Sequence, residues 1–193
     1  EEIEKICKKF KNKKALIETS SNKSLSYGEL FTEILTIKEL LRSHGLKSGD
    51  EVGSILDNSI ENLEYFLSCC YLGLIYFPQS SEVTEYELKK LFRETNIKIF
   101  LISDTTNPRI KKILYNSKYK TININQITKK INKINKIKKQ RPILVVNSSG
   151  TTGDPKKIMI DVNKLWGSAK NFTKNYQFLS SNNIFYNFLP MSY

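Results

Sequence analysis

Residues 148–157 read Ser148-Ser149-Gly150-Thr151-Thr152-Gly153-Asp154-Pro155-Lys156-Lys157, gathering four hydroxyls, two glycines and two ammonium groups into ten positions. Phosphate oxygens accept hydrogen bonds, so a site for them needs donors packed closely together. Ser148, Ser149, Thr151 and Thr152 supply O–H donors, while Gly150 and Gly153 let main-chain N–H groups approach a ligand with no Cβ in the way. Lys156 adds a point cation beside them. An ordinary surface turn can share this composition; the ordered pattern across all ten positions argues for a phosphate grip. The stretch is not a Walker A loop, which needs Gly-Lys-Ser/Thr running into a helix. Here Pro155 precedes Lys156, and an apolar, strand-like run follows. With no helix N-terminus to hold the anion, the loop must close on its ligand with its own donors. It is expected to be exposed, and mobile when empty.

The elements around the loop alternate. Apolar runs at 15–19, 51–56, 75–78, 97–102, 121–124, 143–147, 157–160 and 184–189 read as strands, with 97–102 and 143–147 apolar enough to be buried. Between them, 27–43, 60–72, 82–95, 108–116 and 162–175 read as helices. The best-marked is 27–43. Ser26 with Glu29 forms a capping-box pattern, Leu30, Ile34, Ile37 and Leu41 share one face, and Gly45 follows as the C′ residue. His44, the sole histidine, falls in its last turn, where the helix dipole rather than catalysis explains it. This alternation predicts an α/β fold of βαβ units with a mostly parallel sheet flanked by helices. Residues 126–140 are of low complexity, with Ile127, Ile131, Ile134 and Ile137 on one face and lysines elsewhere. A surface helix or loop joining two core strands fits them better than a membrane-surface helix, because the apolar stripe is thin and carries no aromatic residue.

Composition excludes several function classes. Hydrophobic residues make up 39% and charged residues 26% of the 193, close to an ordinary globular domain. No apolar run reaches the roughly 18 residues that a bilayer span needs, and the charged start shows no signal peptide, so a cytoplasmic protein is expected. Cys7 stands alone and Cys69 and Cys70 are adjacent, which gives neither a disulfide framework nor a CxxC metal pair. They read as reduced structural thiols, with one of the adjacent pair facing the core directly. The net charge of +12 raises nucleic acid as a partner. However, lysine is spread along almost the whole chain beside isoleucine and asparagine, and arginine occurs only at 42, 93, 109 and 141. Weak, salt-sensitive attraction to polyanions is therefore expected, with no specific nucleic-acid target.

The ten-residue loop closely resembles the signature of the adenylate-forming superfamily, Thr-Ser-Gly-Thr-Thr-Gly-x-Pro-Lys-Gly, which acyl-CoA synthetases, nonribosomal peptide adenylation domains and luciferases share. Nine of its ten positions match or differ conservatively. Smaller marks agree in order: Leu25-Ser26-Tyr27-Gly28-Glu29-Leu30, Gly45-Leu46-Lys47-Ser48-Gly49-Asp50-Glu51-Val52, Gly73-Leu74-Ile75-Tyr76-Phe77-Pro78 and Leu189-Pro190-Met191-Ser192-Tyr193. The resemblance covers nearly the whole chain. It implies a partial N-terminal AMP-binding domain over 1–193, the front of a ligase that joins a carboxylic acid to AMP. Transfer to coenzyme A or to an acyl or peptidyl carrier protein would follow.

Carried onto this sequence, the resemblance implies that Ser148, Ser149, Gly150, Thr151, Thr152, Gly153 and Lys156 bind ATP, with Lys156 and Thr151 catalytic. Tyr193 would stand beside the substrate carboxylate, and Mg²⁺ would accompany the nucleotide. The family's acidic Mg²⁺ ligand, ribose-binding aspartate and C-terminal lysine fall beyond the counterpart of Tyr193, so no metal ligand is assigned and the chain alone is expected to be inactive. Two departures stand out. Lys157 replaces a glycine, and Val162 falls where histidine is frequent. They keep open a second reading, a noncatalytic nucleotide-binding or interaction module descended from the family.

Overall fold

Runs of apolar residues become the buried strands, and capping side chains set where the helices between them begin. In the computed structural model, which describes residues 2–126, 141–147, 156–176, 180 and 182–187, helix α1 (Glu2–Lys9) leads into a hairpin of β1 (Lys14–Glu18) and β2 (Lys23–Ser26). Then come α2 (Tyr27–Ser43), β3 (Glu51–Ile55), α3 (Ile60–Leu72), β4 (Ile75–Gln79), α4 (Glu85–Glu94), β5 (Ile97–Ile102), α5 (Pro108–Tyr115) and β6 (Lys120–Asn123). β7 (Ile143–Asn147), β8 (Lys157–Asp161) and α6 (Val162–Asn175) complete the described elements. The main sheet runs β6-β5-β3-β4-β7-β8. Its neighbours pair parallel throughout except β8, which is antiparallel to β7. This is the mostly parallel α/β architecture that the alternation predicts.

Successive side chains of a strand point to opposite faces, and that divides the core in two. On one face Val52, Tyr76, Ile99, Leu101 and Ile122 pack against Ile37 and Leu41 of α2 and Tyr65, Cys69 and Leu72 of α3. On the other, Phe77, Phe100 and Ile102 meet Leu88 and Leu91 of α4 and Ile110 and Leu114 of α5. The path reverses at β4, since the next strand, β5, lies on the far side of β3. Consecutive crossovers therefore put helices on both faces. Gly53 lies between Phe77 and Phe100 in the paired rows. A Cβ there would sit 2.4 Å from Cε1 of Phe100, so the ring occupies the space a side chain would need.

The caps are local chemistry. At α2 the Ser26 hydroxyl accepts from the Glu29 N–H at 3.2 Å, and Glu29 Oε2 accepts from the Ser26 N–H at 2.7 Å, the predicted reciprocal box. Gly45 follows with φ +89°. His44 is the C-cap residue, and its Nδ1 lies 2.9 Å from the Leu40 carbonyl oxygen. Helix α4 starts at Glu85 rather than 82, because the Thr84 hydroxyl takes the Glu87 N–H and so becomes the cap.

Three features differ from expectation or were not foreseen. The strand expected at 184–189 does not form over 184–187: these residues pair with no strand, and Ile184, Phe185 and Tyr186 are 84%, 72% and 75% exposed. An apolar run makes a strand only where an edge receives it. The strand at 143–147 forms as predicted but is half-buried, with Val145 alone fully covered. Both α1 and β2 are additions to the sequence reading. The adjacent thiols are both buried: Cys69 lies inside the first cluster, and Cys70 is covered outside it. The low-complexity stretch falls, from 127 to 140, outside the described residues. Among the described residues, no helix is long and apolar enough to cross a membrane.

Candidate functional site

The signature loop is framed by two strands that pair with each other. β7 starts beside β4, where the Ile143 N–H donates to the Leu74 carbonyl at 3.2 Å. It pairs with β4 at Ile75↔Ile143 and Tyr76↔Leu144. Its other edge pairs with β8 from Ile143↔Asp161 to Asn147↔Lys157. Asn147 and Lys157, which bracket the loop, are therefore opposite each other in an antiparallel ladder, with Cα atoms about 5 Å apart. The two strands read from the sequence on either side of the signature are thus present and paired. Of the predicted site residues, Lys156 is described; it is exposed and immediately precedes β8. Ser148, Ser149, Gly150, Thr151, Thr152, Gly153 and Tyr193 lie outside the described residues.

The two departures from the family pattern differ in what they engage: at 157 it is the side chain, at 162 the backbone. Lys157, in the glycine's place, reaches the end of α4. Its Nζ lies 2.9 Å from Glu94 Oε2 and donates to the Glu94 carbonyl oxygen at 3.3 Å. Glu94 is the last residue of α4, so the ammonium group stands at the helix's C-terminus. Val162 opens α6 directly after the cap residue Asp161, and its N–H donates to the Pro142 carbonyl at 3.1 Å. That bond ties the start of α6 to the entry of β7.

Other polar groups near the carboxyl ends of the strands are already engaged. Helix α3 begins after β3, and its N-terminus is a potential anion site. However, Glu18 Oε1 accepts from the Ile60 N–H at 3.2 Å and the Ser59 hydroxyl accepts from the Asn62 N–H at 3.0 Å. A carboxylate of the chain itself thus stands where a phosphate would. The loop after β5 is stitched to those after β3 and β6. Thr105 Oγ1 donates to Asp57 Oδ2 at 2.7 Å, Thr106 Oγ1 to the Ile55 carbonyl at 2.9 Å, and Asn123 Nδ2 to Asp104 Oδ1 at 2.8 Å. Among the described residues no group of three or more His, Cys, Asp or Glu converges to hold a metal ion.

Sequence reasoning did not find the Glu94–Lys157 tie or the Glu18 cap. Each joins residues far apart in the chain, and no local period marks such a pair. The only advance signal is the cation at 157 where the signature has glycine.

Comparison with known proteins agrees with this geometry. The AMP-binding enzyme family matches residues 3–193. Delta-poly-L-ornithine synthetase of Acinetobacter baumannii is 26% identical over 149 residues, covering 77% of this chain and 11% of that protein. 2-Succinylbenzoate–CoA ligase of Oceanobacillus iheyensis is 25% identical over 163 residues, covering 84% of this chain and 34% of that protein. The o-succinylbenzoate CoA synthetase of Bacillus subtilis, solved in complex with the acyl-adenylate intermediate OSB-AMP, shares the fold with a TM-score of 0.83 at 18% identity. That match covers 97% of this chain and 49% of the solved one. The N-terminal subdomain of NpsA from Klebsiella oxytoca gives 0.66 at 20% identity, covering 82% of this chain and 40% of that chain. The chain thus spans about a third or less of these two curated relatives and about half of the first structure.

Proposed function

Given that this chain belongs to the AMP-binding enzyme family, we propose that it is the phosphate-gripping N-terminal portion of an ATP-dependent acid ligase. In that reaction a carboxylate oxygen of the substrate attacks the α-phosphorus of ATP. The bond from that phosphorus to the oxygen bridging the β-phosphate breaks, and acyl-AMP and pyrophosphate result. The acyl group then passes to a thiol of coenzyme A or of a carrier protein, with AMP as the leaving group. The relatives support this reading in kind: one is by name a CoA ligase and another a tyrocidine synthase. A cytoplasmic setting belongs to the same proposal.

The observation that carries the proposal is the signature loop between two directly paired strand ends, Asn147 and Lys157. In the proposed mechanism Ser149, Thr151 and Thr152 donate to the β- and γ-phosphate oxygens, and Lys156 neutralises charge on the departing pyrophosphate. Ser148 belongs to the same donor set, and Gly150 and Gly153 shape the turn. Tyr193 borders the substrate carboxylate. The contribution of these groups is positioning and charge stabilisation. Mg²⁺ would accompany the nucleotide, and among the described residues no group of three or more His, Cys, Asp or Glu converges to hold it.

Lys156→Ala in the complete enzyme tests the reading. Because its charge is assigned to the β- and γ-phosphates, the substitution should weaken ATP and pyrophosphate binding and slow ATP–pyrophosphate exchange, with AMP binding nearly unchanged. Removing one such electrostatic partner typically costs about 10²–10³ in rate. Equal losses for AMP and ATP would overturn the assignment. Nucleotide binding with no exchange, over a broad panel of carboxylic acids, would select the noncatalytic module instead.

A further inference from the structure

Lys157 is the place where this chain departs from its family's signature and gains a contact instead. In a glycine's position stands a side chain whose Nζ bonds both the carboxylate and the carbonyl of Glu94. The second acceptor matters. A cation at a helix C-terminus meets the negative end of the dipole as well as a carbonyl oxygen. Ladder pairing of β7 with β4 is confined to Ile75↔Ile143 and Tyr76↔Leu144, whereas β7 and β8 stay paired through Asn147↔Lys157. The β7–β8 hairpin therefore continues beyond its ladder with the sheet, and the end that carries the signature is fastened to α4 by Lys157. Val145, between these points, packs into the α4–α5 cluster.

We infer that the Lys157–Glu94 tie fixes the start of β8, and thereby the position of the adjacent Lys156, making Lys157 and Glu94 positioning residues for the nucleotide site. The inference rests on the proposed role of Lys156 in holding the β- and γ-phosphates. A glycine at 157 would let the backbone adopt conformations that a lysine resists, so restraint stands in this chain where the signature has glycine. The two side chains are 26% and 41% exposed, and a partly exposed pair of this kind is worth at most about 1 kcal/mol, which corresponds to roughly a fivefold effect. Because the effect acts on a phosphate ligand, it should appear in the KM for ATP. The carboxylic acid should be unaffected.

The test compares Lys157→Gly, Lys157→Arg, Glu94→Gln, the Gly/Gln double variant and Lys156→Ala in the complete enzyme, by ATP–pyrophosphate exchange. Expected are a roughly two- to fivefold rise in KM for ATP in Lys157→Gly and in Glu94→Gln, with the KM for the acid unchanged. Lys157→Arg should stay near the parent, and the double variant should be no worse than either single one, because both remove the same tie. Amide hydrogen exchange should speed up at Lys157 and Ile158 in the same variants. Unchanged KM values for ATP in both Lys157→Gly and Glu94→Gln, while Lys156→Ala is impaired, would overturn the positioning role and leave the proposed function standing. A Lys156→Ala variant with normal KM for ATP would overturn the function, and this inference with it. Equal rises in both KM values would show a general loss of structure, and that too would overturn the positioning role.

Discussion

Asp50 shows how a single carboxylate joins distant parts of this chain. It is 9% exposed and accepts from the Lys47 N–H at 2.9 Å and from Lys98 Nζ at 2.7 Å. Burial alone would push the carboxyl up, but the bonds from Lys98 and Lys47 outweigh it and hold the group below the usual carboxylate range. A carboxylate whose pKa is lower in the folded than in the unfolded state stabilises the fold above its unfolded value, about 3.9. That contribution is lost as the pH falls through the folded value. Asp50→Asn should therefore lower stability by about 1–3 kcal/mol at pH 7, and the gap from the parent should narrow below about pH 4. Urea unfolding at pH 7, 5 and 3.5 measures it. A gap that stays constant with pH would mean that Asp50 acts by shape rather than charge.

The sheet depends on a close fit between β3 and β5. Phe100 is fully buried and held edge-on by Phe92 and Tyr119, with ring centroids 5.7 Å and 5.5 Å away, so it has no room to yield to a methyl group on Gly53. Gly53→Ala should destabilise the protein by about 1–3 kcal/mol, the usual cost of overpacking a filled core. Thermal unfolding is the measurement, and an unchanged midpoint would show that the ring moves aside. A strongly marked element is legible in the sequence: α2 lies where the apolar spacing and its cap put it, at Tyr27–Ser43, and α3 covers Ile60–Leu72, the range read as a helix. Helix α1 was harder to recognise because charged residues dominate it, and β2 because Lys23-Ser24-Leu25-Ser26 is mostly polar. The run at 184–189 has a strand's composition, but a strand also needs a partner edge, which composition does not encode. The same holds at the site. The chemical types in the loop and its flanking strands were legible from local pattern, whereas Glu94, 63 positions from Lys157, was not.

Across the whole molecule the three cysteines report on cooperative unfolding. Burial pushes the thiol of Cys70 up to about 12, that of Cys69 well above its ordinary value, and that of Cys7 up as well. All three are free and buried. The thiolate is the reactive form, so a thiol reagent at pH 8 should label the native chain very slowly and the unfolded chain at all three sites. Labelling of Cys69 should track global unfolding, because its cluster spans both α2 and α3 and the sheet. Rapid labelling of Cys69 without loss of structure would contradict this. The make-up of the two sheet clusters also bears on how the protein is synthesised. Every fully buried member of both, apart from Val145, falls between Ile37 and Ile124. A nascent chain that has cleared the ribosome to Ile124 holds β3 to β6 and the helices that cover them. It can fold as a unit while the lysine-rich stretch that follows is still being translated, so the hairpin that frames the signature residues is added afterwards, onto a template already formed.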